Sequence, residues 1–193
     1  MTIVRQDIES LIMSLETERA EERTQAIDRL AALGEPVIER MLALLENPNT
    51  TATAARAAVD VLERITNPRA FDALVRTIQA GDPILAGKAL KAVLRHDRDD
   101  IAVHLAGVLP VAHIMVQQSI IIAVQKLGDD RVVGTLLEEL ARHESPTLRC
   151  AILKALGSLG NDEVVPSITP YLKDEDRHVR EWAVEALKQL GRE

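Results

Sequence analysis

The sequence repeats itself with a nearly constant period. The residues closing each unit are Gly34, Thr66, Asp97, Gly128, Gly160 and Gly191, separated by 32, 31, 31, 32 and 31 positions. Between closures one pattern returns: VREWAVEALKQLG aligns with LRCAILKALGSLG and with VQQSIIIAVQKLG. The stretches ARAAVDVLERIT and AGKALKAVLRHD keep the spacing and lose the final Gly. A period of this length marks an array of supersecondary units, none of which can bury its apolar face alone.

Each period holds two helical patterns. In the first, Val165, Ile168 and Leu172 are echoed by Val133, Leu136 and Leu140, an i, i+3, i+7 stripe on one helix face. This predicts a first helix of roughly three turns. The second pattern is apolar over a wider arc, through Val179, Ala183, Val184, Ala186, Leu187 and Leu190, as suits a helix packed on its own partner and on neighbouring pairs. Asp82-Pro83 and Ser145-Pro146 read as helix starts, a capping oxygen before a proline in the first turn. Glycine after the second helix suits the left-handed residue that ends it. Hydrophobic residues are 47% of the chain but aromatics only 2%, so the core must be Leu, Ile, Val and Ala, a composition favouring helix over sheet. The expectation is an all-α chain, an α-solenoid of about six helical hairpins and about twelve helices, forming a single repeat domain over residues 1–193.

The last copy, DEVVPSITPYLKDEDRHVREWAVEALKQLG, resembles the HEAT-like repeat of the phycobilisome-lyase type. Pro166, Asp174, Val179, Arg180, Ala186, Leu187, Leu190 and Gly191 match that pattern. The resemblance implies an inter-repeat hydrogen-bond ladder in which Asp174 and Arg180 are the paired residues. Arg149 and Arg23 keep the basic position, while Ala55, Ala86 and Gln117 replace it, so the implied ladder is partial. The resemblance also implies that the second helices line a concave face.

Several chemistries are disfavoured. The cluster KDEDRHVRE reads as a solvated turn with a first helical turn. His96, His104, His113, His143 and His178 are scattered without a zinc spacing; His113 and His143 fall in successive turns but supply only two ligands. His96 stands where other copies have Leu and reads as a partly buried histidine. HEAT-repeat di-iron hydroxylases carry several His-Glu pairs, whereas this chain has one, His143-Glu144, so that enzyme reading fails on count. Cys150 has no histidine three or four residues away to act as base. A net charge of -7 with one Trp, one Tyr and one Phe disfavours nucleic acid. No apolar run approaches a membrane span, and the N-terminal residues lack the basic and apolar regions of a signal peptide. With a single cysteine, the natural reading is a soluble cytoplasmic protein with no catalytic, metal or cofactor residues.

What remains is surface. On the second helices of the last copy, the outward columns hold the charged residues His178, Glu181, Glu185 and Lys188. In the middle copies they turn apolar or small: Ile84, Gly87, Lys91 and Leu94; then Met115, Gln118, Ile122 and Gln125; then Thr147, Cys150, Lys154 and Gly157. The three isoleucines of SIIIAV cannot all face one partner helix, and Ile122 is the one expected to point outward. The expected partner-binding face is therefore Ile84, Lys91, Leu94, Met115, Gln118, Ile122, Gln125, Cys150 and Lys154. Its expected ligand is a protein or peptide segment, with acidic flanks favouring a basic one. This makes the chain a non-enzymatic scaffold. The alternative, implied by the resemblance, is an accessory or chaperone-like protein of the phycobilin lyase type, handling a tetrapyrrole or its acceptor protein. A further expectation is a homodimer through the C-terminal end, where Trp182 lies on the last helix before Gly191-Arg192-Glu193.

Overall fold

A computed structural model describes residues 2–80 and 82–191, with side chains from residue 7 onward. Among the described residues there are twelve α-helices, several 3-10 turns and no strand. The helices are α1 (Thr2–Met13), α2 (Ala20–Leu33), α3 (Glu35–Glu46), α4 (Ala52–Arg64), α5 (Pro68–Gln79) and α6 (Pro83–Val93). They continue as α7 (Ile101–Val108), α8 (Ile114–Leu127), α9 (Val133–Arg142), α10 (Pro146–Leu159), α11 (Val165–Ile168) and α12 (Arg177–Gln189). This is the α-solenoid of six helical hairpins that the repeat period requires, two helices to each period.

The chain forms two compact units, Met1–Asp97 and Arg98–Glu193, divided immediately after the third closure. In the first unit the second helices α2, α4 and α6 lie side by side, with α3 and α5 packed behind α4. The centre of this layer is α4, whose Ala54, Ala55, Ala57 and Ala58 are all buried. Small side chains allow one helix to approach four neighbours at the close end of interhelical distances. Larger groups fill the space between layers: Leu30, Ile38, Met41, Leu62, Leu74 and Ile78. Phe71, the one phenylalanine, is fully buried and meets His96 edge to face at 5.5 Å. His96 is thus the partly buried histidine expected of its leucine position.

The second unit repeats the arrangement around α10, which packs on α8, α9 and α12. Ile120, Ile121, Ile152, Leu153 and Leu156 fill its core. Here α10 and α12 approach so closely that a Cβ on Gly157 would stand 2.8 Å from the Ala186 Cα. Gly157, expected on the outward face, is instead buried against α12.

The second helices start at a common phase. Thr51, Asp82, His113 and Asp176 each lie fifteen residues before their closures, and each side chain accepts from a backbone N–H of the first turn. At Asp82, Oδ1 accepts from the Ile84 and Leu85 N–H groups at 2.8 and 2.9 Å. Ser145 holds the same position without that side-chain bond. The helix ends vary. Gly128 takes the left-handed conformation, φ 74° and ψ 22°. Gly160 does not; it is extended, and its missing side chain matters for space, since a Cβ there would lie 2.7 Å from Val164 Cγ2.

Two further expectations are corrected. The last first-helix has only four α-helical residues before a 3-10 segment, Thr169–Lys173. Pro166 and Pro170 each lack an N–H, and the second cannot donate to the carbonyl one turn back. Asp174 and Arg180 do not pair through the Asp174 carboxylate. Asp174 Oδ2 accepts from Arg149 Nη1 of the preceding copy at 2.9 Å, so one inter-repeat rung exists with the neighbouring arginine. Arg180 Nη1 donates to the Asp174 carbonyl at 2.7 Å. The same reach back of six residues recurs from Arg23 Nη1 to the Thr17 carbonyl, 2.6 Å, and from Arg149 Nε to the His143 carbonyl, 2.7 Å. Gln117, at the equivalent position, reaches the Leu109 carbonyl at 3.1 Å. Where an arginine or glutamine holds this position, it ties the second helix to the end of its own first helix; Ala55 and Ala86 make no such tie.

Replacing an interior helical glycine by alanine ordinarily stabilises by about 0.5–1 kcal/mol. Gly107→Ala, where a Cβ meets nothing, should follow this rule. Gly157→Ala should reverse the sign and cost about 1–3 kcal/mol, because the clash is with Ala186 backbone. Urea unfolding of the two variants checks the contrast.

Candidate functional site

Because the second helices of each unit lie side by side, residues equally far from their closures fall into rows across the layer. In the second unit these rows line an open groove of about 250 Å³ over α8, α10 and α12. One wall is Gln118, Ile122 and Gln125 of α8, at i, i+4 and i+7 on one helix face. The floor is Thr147, Cys150, Ala151 and Lys154 of α10, and the far wall is Trp182 of α12. Ile122 is 41% exposed while Ile120 and Ile121 are fully buried, the division expected of three consecutive isoleucines on a helix.

The groove brings together Gln118, Ile122, Gln125, Cys150 and Lys154 from the expected face. It does not include the others. Ile84, Lys91 and Leu94 belong to the first unit, where all three are exposed. Met115, 72% exposed, sits on the first turn of α8 beside exposed Val111 and Ile114, outside the groove lining. Trp182, expected near an end-to-end contact, also lines the groove; Arg192 and Glu193 lie outside the described residues. The repeat contained the signal for Trp182: it lies nine residues before its closure, as Ala151 does before Gly160.

The polar groups of the groove are largely engaged. Lys154 Nζ stands 5.3 Å from the centroid of the Trp182 ring. Gln125 Nε2 donates to Ser158 Oγ at 3.1 Å. Beside Trp182, Glu181 accepts from Arg177 Nε at 2.7 Å, which together with nearby His178 holds its carboxyl below the ordinary range. The Cys150 thiol is pushed upward, first by burial and then by the carboxylates of Asp176, Asp174 and Glu181. A thiol so placed is held protonated, the reverse of an activated nucleophile.

In the first unit the same repeat positions form a different surface. Thr53, Arg56, Asp60 and Lys88 line a depression of about 300 Å³ together with Glu18 and Arg23, and Lys88 Nζ pairs with Asp60 Oδ1 at 2.5 Å. Apolar lining is therefore particular to the second unit and is not a property of the repeat.

The remaining ionisable clusters are structural. Glu139 is fully buried, with Arg142 Nη1 at 2.9 Å and His143 Nε2 at 3.0 Å. His113 is spent capping α8, its Nδ1 accepting from the Met115 N–H at 3.2 Å. Among the described residues no group of three or more His, Cys, Asp or Glu side chains is placed to hold a metal ion. The residues therefore do not fit a metal centre of the hydroxylase kind. No helix among the described residues is long and apolar enough to cross a membrane.

Comparison with known proteins places residues 133–193 in a match to the model of HEAT repeats. The chain is 43% identical over 63 residues to deoxyhypusine hydroxylase of Eremothecium gossypii, an alignment covering 32% of this chain and 20% of that protein. The chain thus spans about a fifth of that relative's length. It is 27% identical over 164 residues to an uncharacterized phycocyanin operon protein Z of Pseudanabaena tenuis, covering 80% of both. Among solved structures, human deoxyhypusine hydroxylase in complex with glycerol aligns over 98% of each chain at 15% identity, with a TM-score of 0.45. A designed armadillo repeat protein in complex with peptide (KR)4 aligns over 95% of this chain and 99% of its own, at 15% identity and a TM-score of 0.44.

The upward shift at Cys150 sets its reactivity. Alkylation proceeds through the thiolate, so its rate should rise with pH around a midpoint above the ordinary thiol value of about 8.5. Asp176→Asn, which keeps an acceptor at the helix cap and removes a charge, should move that midpoint down. Iodoacetamide rates followed across pH check both statements.

Proposed function

From a chain whose C-terminal third is made of HEAT repeats, we propose a non-enzymatic scaffold that docks a helix or extended segment of another protein in the second unit's groove. The observation carrying this reading is the groove itself: Ile122 and Trp182 remain accessible on the outward side of helices whose other faces are buried. Aromatic and aliphatic groups left in a depression, with a few amides around them, have the composition of a partner site. The amides of Gln118 and Gln125 offer donors and acceptors to a backbone, and Ile122 and Trp182 on the walls reward burial of apolar side chains. The net charge of -7 favours a basic partner and speeds its approach. The proposed setting is the cytoplasm.

A second reading draws on the phycocyanin operon relative, which aligns over 80% of both chains. In it the protein is an accessory factor of the lyase type, and the groove receives a tetrapyrrole or the protein that accepts one. Trp182 and Ile122 would then pack on pigment.

Ile122→Glu places a charge in the groove and leaves the core untouched. Affinity capture from the source organism, read by mass spectrometry, should retain a protein on the wild type and lose it on the variant, with equal helical signal by circular dichroism. If both chains hold the same species, or neither holds any, docking in this groove is wrong. Addition of a linear tetrapyrrole distinguishes the second reading, which requires a saturable shift of visible absorbance on the wild type that Ile122→Glu weakens.

A further inference from the structure

The groove contains one charged residue, Lys154, and its ammonium rests on the Trp182 ring at 5.3 Å. Its phase mates explain why. In the first unit the equivalent positions on adjacent second helices are Asp60 and Lys88, and they form an ion pair at 2.5 Å. In the second unit Lys154 stands at the Asp60 position and Trp182 at the Lys88 position, so the cation has moved to the other helix and its partner is a ring rather than a carboxylate. Among the described residues no ion pair to Lys154 is formed, and the face of an indole is the strongest side-chain π-receptor for a positive charge.

The surroundings favour a positive charge at this wall. Asp176, Asp174 and Glu181 lie close enough to Cys150 to disfavour its thiolate; Arg149 and Arg177 pair with the last two, while Asp176 forms no ion pair among the described residues. Gln118, exposed on the opposite wall, carries a carbonyl oxygen able to accept from a guanidinium. Ile122 lies beside it and can take an aliphatic neighbour of that cation.

We infer that Lys154 is an internal stand-in for a ligand cation, and that the occupant is a peptide segment bearing an arginine next to an aliphatic residue. The arginine takes the Trp182 ring face while Lys154 swings out to solvent. Arginine suits the exchange better than lysine because its guanidinium is planar, stacks on aromatic rings and is less strongly hydrated. The inference rests on the docking reading and names the chemistry of the partner.

The internal cation competes with the incoming one, which gives an unusual sign to its removal. Calorimetric titration with a short blocked peptide of alternating leucine and arginine should give about two- to fivefold tighter binding to Lys154→Ala than to the wild type. The same peptide with citrulline in place of arginine should bind both proteins more weakly and equally. Trp182→Leu should abolish the preference for arginine over citrulline. Equal or weaker binding of the arginine peptide to Lys154→Ala, or an equal gain by the citrulline peptide, overturns the inference and leaves docking intact. Absence of binding of either peptide to every variant overturns docking in this groove and the inference together.

Discussion

The fold depends on the second helix of each pair being buried on several sides at once. In the first unit α4 touches α2, α3, α5 and α6; in the second, α10 touches α8, α9 and α12. A helix enclosed this way cannot carry bulky groups all round, because ridges of large side chains hold axes apart. The alanines of α4 and Gly157 of α10 meet this demand by different means. Closely spaced second helices then have only one narrow face left for solvent. Everything functional about the chain must be written on that face, on turns, or on the outer sides of first helices.

The turns contribute a second ordering device. An arginine or glutamine eleven residues before a closure reaches back to a carbonyl near the end of its own first helix, at Arg23, Gln117, Arg149 and Arg180. Such carbonyls end a helix without an intrahelical partner, and a charged donor satisfies them well. Between copies, Arg149 adds the one rung to Asp174. Other contacts between successive copies lie outside this position, among them Arg69 to Glu35 at 2.7 Å and Arg131 to the Asp99 carbonyl at 2.7 Å.

Much of this was legible in the sequence, and the failures have physical causes. Periodicity located the pairs because every copy must bury the same stripe, and the caps because a helix start needs an acceptor at a fixed place. It separated Ile122 from Ile120 and Ile121, since adjacent helical positions differ by about 100°. It misplaced Gly157, because a small residue reads alike whether it faces solvent or admits a neighbouring helix. Asp174 was given the wrong arginine, since the repeat pattern supplies two at equal phase and only packing distinguishes them. The place of Trp182 on the groove wall follows from its phase in the repeat, nine residues before the closure, and not from its nearness to the chain end. The groove itself was invisible as a volume, since depth depends on how far neighbouring helices stand apart.

The uneven distribution of aromatic residues between the two compact units has a consequence for how this chain will look in a spectrometer. Trp182 and Tyr171, each the single residue of its kind, both lie in Arg98–Glu193, while Met1–Asp97 holds only Phe71. Intrinsic emission is therefore a local probe of one unit, whereas far-ultraviolet dichroism averages over helices of both. Helical repeat arrays are a setting in which cooperativity can break down along the chain. For this protein, superposition of the two optical transitions is a direct measure of whether its repeats melt as one body.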